Sequence, residues 1–235
     1  MRYYEDALKQ FENILVQFNY QKDKDSNYDD LKKIFLSIYA LNYIANRVEL
    51  KSIFQSTYFK ISFSCLLETF ALILNNYPRA AALVLRSSLE NFLKFIIESY
   101  KDEKYKINDR VYSENKKTLE LIIKEKYDGK LKNECIKINS RMEATYKELS
   151  GISHSLTPES INNIIKYFTE FNDIKSEIIK KVLDYFNIII RDMFTFSLII
   201  SENSLKLWDS KNLGNIIKLS FGSKRTKTLI ELIKE

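Results

Sequence analysis

Glycine and proline are nearly missing from this chain, with four and two among 235 residues, several-fold below average usage. So few turn-formers exclude an architecture of many tight turns, and no run of strict apolar–polar alternation between turn residues speaks for a sheet. The four glycines are isolated, which excludes a glycine-rich phosphate loop. A single histidine, His154, excludes a His-rich zinc site. Two cysteines, Cys65 and Cys135, lie seventy residues apart. They form no disulfide framework and suit a reducing, cytoplasmic compartment. No Ser–His–Asp elbow or Cys–His pairing is visible, and no residue pattern calls for a cofactor. The first six residues lack the apolar core of a signal peptide. The longest apolar tracts are cut by charge, as at Arg191-Asp192, short of the ~18 uninterrupted residues of a membrane span. No membrane partner is expected.

What remains is helical periodicity from end to end. It predicts helices over about 3–18, 29–49, 51–75, 78–100, 114–126, 130–152 and 174–207, the last bent near Asp192. Residues 20–28 and 101–113 read as loops, and Thr157-Pro158-Glu159 is a helix start with Thr157 as the cap. The expectation is an all-α bundle of about eight to ten helices. It divides into N-terminal helices over 1–50, a bundle over 51–207 and a basic C-terminal appendage over 208–235. Formal net charge is +6, and the stretch from 205 to 235 carries seven Lys and Arg against three Asp and Glu. There Lys218, Lys224, Arg225 and Lys227 flank one aromatic ring, Phe221. They suit a nucleic-acid backbone, or form a solvated basic tail. Leu229, Ile230, Leu232 and Ile233 offer a short amphipathic face for a partner protein.

Two segments carry chemistry. After Pro78, Leu85, Leu89, Phe92, Leu93, Ile96 and Ile97 share one face at ~100° per residue. Arg86 projects into that stripe, with Glu90 one turn on at its edge. A guanidinium does not deprotonate to escape burial and needs a polar partner. Base-before-acid is also the poorer order for a surface pair. The second segment runs Tyr146-Lys147-Glu148-Leu149-Ser150-Gly151-Ile152-Ser153-His154-Ser155. Tyr146, Ser150 and His154 recur every four residues on one face, just before the Thr157 cap, and Gly151 permits close approach. Either cluster alone is compatible with a structural ion pair or a capping histidine. Together they are expected to converge, because inward polar groups in an apolar bundle satisfy one another.

Leu85-Arg86-Ser87-Ser88-Leu89-Glu90, in a long apolar helix after a proline break, and the Tyr146–His154 run some sixty residues later resemble signatures of the HEPN superfamily. These are prokaryotic helical domains of phage-defence and toxin–antitoxin systems, and the similarity spans about 58–200. The resemblance implies a HEPN-like core of four or five helices, frequent homodimerisation and metal-independent RNA cleavage. Its active members carry an arginine four to six residues before the histidine. Here Glu148, Leu149 and Ser150 hold those positions, and Arg141 lies too far back. Catalysis then requires Arg86 to supply the cation from the neighbouring helix. On that reading His154 is the general acid or base, Arg86 stabilises phosphate charge, Glu90 orients either of them, and Tyr146 and Ser150 support the site. The alternative is a non-catalytic helical subunit of a multi-protein anti-phage assembly. A homo-oligomer or a complex with operon partners is expected on the family habit and on the 15 Tyr and 15 Phe, more rings than a small bundle should bury.

Overall fold

The computed structural model describes residues 2–20, 26–161 and 176–234. Among these there is no strand, and nine helices exceed a single turn. They are α1 (Arg2–Gln17), α2 (Tyr28–Ala45), α4 (Thr57–Leu74), α5 (Pro78–Ser99), α6 (Tyr112–Lys126), α7 (Gly129–Ser153), α9 (Ser176–Ile200), α11 (Ser210–Ser220) and α12 (Ser223–Lys234). Single turns α3 (Lys51–Phe54) and α10 (Glu202–Leu205) lie between them, and α8 (Pro158–Ile161) reaches the edge of the described residues. The fold is an all-α bundle.

Its axis is α5 and α9. On α9, Phe186, Ile189, Ile190, Met193, Phe194, Phe196 and Ile199 are buried on every side, the signature of a helix enclosed by others. It packs against α2, α5, α7 and α12, while α5 packs against α4, α6, α7 and α9. The α4–α5 crossing is close because small residues face each other there. Ser62 Oγ donates to the Ser88 carbonyl at 2.9 Å, and Ser88 Oγ returns a bond to the Ser62 carbonyl at 2.8 Å. The rings find their place inside one chain, with Phe11, Phe35, Phe54, Phe59, Phe70, Phe92, Phe95, Phe186, Phe194, Phe196 and Phe221 all buried. The aromatic count therefore does not itself call for a partner.

Several boundaries differ from the periodicity. The stretch predicted as one helix over 51–75 breaks at Gln55–Ser56, where Ser56 Oγ accepts the Phe59 N–H at 3.3 Å and restarts the chain as α4. The helix predicted to 49 ends at Ala45, and a 3₁₀ turn, Val48–Leu50, follows. α9 runs unbroken through Asp192 and ends at Ile200; its expected start at 174, most of the 20–28 loop and the continuation of the Thr157 helix lie outside the described residues. The C-terminal stretch folds as α11 and α12, whose Leu213, Ile216, Ile217, Leu229, Leu232 and Ile233 join the main apolar cluster. α4 is long and apolar enough, by length and composition, to cross a membrane, with mean hydropathy 1.4 over 18 residues of which 39% are buried. Lys60 and Glu68 interrupt it, so it escapes a search for unbroken apolar runs.

With glycine scarce, other residues take the left-handed position that ends a helix. Asn19, Asn76, Lys101 and Ser155 have φ of 51°, 64°, 48° and 55°. Asparagine tolerates this; lysine and serine do so at a cost. Lys101→Gly should raise unfolding free energy by about 0.5–1 kcal/mol, the relief of the Cβ clash less the chain entropy of glycine. A urea midpoint at or below the wild-type value would contradict this.

Candidate active site

α5 and α7 lie side by side, and the polar residues of both meet at their seam. Arg86 Nη1 lies 3.2 Å from His154 Nε2 and 3.4 Å from Ser150 Oγ. Arg86 Nε stands 3.5 Å from Glu90 Oε1, beyond hydrogen-bond geometry, and is buried without a hydrogen-bond partner. Tyr146 donates its hydroxyl to Glu90 Oε1 at 2.9 Å, and its ring carries the guanidinium 5.6 Å from its centroid. Arg86, Glu90, His154, Tyr146 and Ser150 thus form one cluster. Arg86 sits differently from the expected position: its side chain is 21% exposed and Glu90 is 33% exposed. It lies at the margin of the apolar stripe, over the seam, where the guanidinium reaches water as well as α7.

The histidine is held by the end of α7. Its N–H bonds the Ser150 carbonyl at 3.0 Å, Ser155 takes the left-handed conformation, and the Leu156 N–H closes on the Gly151 carbonyl at 2.8 Å. This pattern is a Schellman turn that fixes His154 at the helix cap. Gly151 eases the return of the chain, since a Cβ there would sit 3.1 Å from the Thr157 methyl, closer than most such contacts. Thr157 Oγ1 then accepts the Ser160 N–H at 3.3 Å and starts α8.

A guanidinium only donates, so the Arg86–His154 contact is a hydrogen bond in the tautomer that carries its proton on Nδ1 and leaves Nε2 as acceptor. In that tautomer the ring has its lone pair on Nε2, beside a cation whose Nη2 meets no acceptor among the described residues. Such a pair can hold an anion at the guanidinium and take a proton at the imidazole. Burial raises the Tyr146 hydroxyl above its ordinary pKa, and the Glu90 hydrogen bond adds to this. Tyr146 therefore stays a donor and keeps Glu90 turned toward Arg86.

Two residues complete the surroundings. Arg79 Nη1 donates to Ser155 Oγ at 2.9 Å, beside the histidine cap. Its position seven residues before Arg86, nearly the same face at ~100° per residue, was the available signal. Tyr112, at the start of α6, stacks on Tyr146 with centroids 3.8 Å apart and planes 1° from parallel; no local pattern points to it.

Lys218, Lys224, Arg225 and Lys227 do not join this cluster. Lys218, Lys224 and Lys227 are exposed on α11 and α12, and Lys227 lies 4.0 Å from Glu231. Arg225 pairs with Glu134 on α7, twenty positions before His154 and so about 30 Å away along the helix. Among the described residues no three His, Cys, Asp or Glu side chains gather as a metal site. Comparison with family models, curated proteins and solved structures returned no match.

Proposed function

We propose that this chain is a HEPN-like protein of a bacterial defence or toxin–antitoxin system, acting in the cytoplasm as a metal-independent endoribonuclease through Arg86 and His154. The observation that carries the reading is the 3.2 Å contact between Arg86 and His154 Nε2. The cation absent from the positions just before the histidine is supplied from the adjacent helix. When RNA enters, Arg86 exchanges the imidazole for a non-bridging phosphate oxygen, and its charge offsets the charge that builds on phosphorus. The freed Nε2 lone pair takes the proton of a ribose 2′-OH. The O2′–P bond forms, the P–O5′ bond breaks, and the leaving oxygen takes a proton from water. The products are a 2′,3′-cyclic phosphate and a 5′-OH end. Glu90, held by Tyr146, orients the guanidinium, and Ser150 is a second hydrogen-bonding group on the same face.

A second reading has its own support. Tyr77, Leu83 and Leu156, near the cluster, are 44%, 48% and 74% exposed. That apolar rim favours an assembly subunit, either a homo-oligomer or a partner of other operon proteins. One experiment separates the two: purified protein with labelled single-stranded RNA in EDTA. Cleavage supports the ribonuclease. A folded protein that cuts no RNA, alone or with its genomic neighbours, overturns that reading in favour of the assembly subunit.

A further inference from the structure

On the opposite side of α7 a cavity of about 500 Å³ opens between α7, α9 and α12. Lys137, Arg141, Arg191 and Arg225 bring four positive charges to its wall, against two negative ones from Glu134 and Asp192. Both acids are engaged. Arg141 Nε donates to Asp192 Oδ2 at 2.9 Å, and Arg225 Nη2 bonds Glu134. Arg191 and Lys137 form no ion pair among the described residues, which leaves the cavity two charges in excess. One face of Arg191 rests 4.6 Å from the centroid of Phe221. Burial pushes the Arg191 guanidinium below its ordinary pKa, the cations of Arg225 and Arg141 add to this, and Asp192 opposes it. An arginine does not answer by deprotonating. It remains a half-buried charge among like charges, a situation an incoming anion relieves.

We propose that this cavity binds a free nucleotide, with its phosphates held between Arg191 and Lys137 and flanked by Arg141 and Arg225. A lone phosphate would leave most of the volume empty, whereas nucleotide-sized ligands occupy cavities of this order. Ile188 and Phe221 supply an apolar wall beside the cations. A second cavity of about 380 Å³ shares Glu134, Lys137 and Arg225 and continues between α7 and α12 past Asn133, Thr228 and Glu231, giving polar groups room to meet a sugar or base. The site lies away from the Arg86–His154 cluster and does not depend on its proposed role.

The test is calorimetric titration of the full chain with ATP, ADP and pyrophosphate at matched ionic strength, with single-stranded RNA oligonucleotides as a separate arm. Wild-type protein should bind ATP or ADP, and Arg191→Gln should bind at least tenfold more weakly, since a charge-assisted phosphate contact is lost. Lys137→Gln, at an exposed position, should weaken binding by a smaller factor and keeps the test open if the first variant folds poorly. Both variants should melt like wild type without ligand. No nucleotide binding, equal binding by Arg191→Gln, or Arg191-dependent binding of pyrophosphate or RNA without nucleotides would overturn the proposal.

Discussion

Replacing His154 with alanine should lower single-turnover RNA cleavage in EDTA by at least ~10²-fold, the usual contribution of a positioned general base. The fold should not notice, because the side chain is exposed at a helix cap whose hydrogen bonds are made by backbone. Arg86→Ala should lose as much activity and only about 1 kcal/mol of stability. Glu90, left behind, keeps the Tyr146 hydrogen bond and is 33% exposed, so water solvates it. Arg86→Lys keeps a charge but not the fork that reaches Glu90, Ser150 and His154 together, and its activity should fall between wild type and Arg86→Ala. If Arg86→Ala collapsed the melt instead, the pair would be structural, and its loss of activity would say nothing about catalysis.

The largest expected effect on stability lies elsewhere. Asp192 is buried, with its side chain 6% exposed, and the Arg141 fork is its partner. Burial raises the Asp192 carboxyl above its usual pKa even though Arg141 acts to lower it. Arg141→Met should cost about 3 kcal/mol at pH 7, at the lower end for breaking a buried pair, because Arg141 is itself 44% exposed. The sign with pH follows from linkage. Without Arg141 the folded-state pKa of Asp192 rises further above its unfolded value, so the penalty is present above that folded pKa. It shrinks as acidification protonates the carboxyl. Urea unfolding of both proteins at pH 7 and pH 5 should show the gap narrowing; a gap that widens in acid would contradict the assignment. Asp192→Asn in the Arg141→Met background should restore much of the loss at pH 7.

The sequence carried the helical class because scarce glycine and proline leave few places for a chain to turn. The position of His154 was legible for a local reason: Thr157-Pro158 marks a helix start, so the residues before it must end the previous helix. The break at Gln55–Ser56 was not, because Ile53, Phe54 and Phe59 keep an apolar rhythm straight through it. Arg86 lies at the margin of the stripe that its spacing predicts it to enter. A helical wheel gives an angle but not the neighbour, and α7 lies where the wheel shows only an edge. Arg141–Asp192, Tyr112–Tyr146 and the open cation Arg191 depend on which helices become neighbours across 30 residues or more, and no local pattern encodes that.

The measurement closest to the central claim follows one RNA strand of fixed sequence in EDTA, in its ribose form and with a 2′-deoxy nucleotide at the cut site. Wild-type protein should cut the ribose strand to a 2′,3′-cyclic phosphate and a 5′-OH end, and leave the deoxy position intact. Cleavage at the deoxy position, or a 3′-OH product, would contradict a base at His154 acting on the ribose hydroxyl.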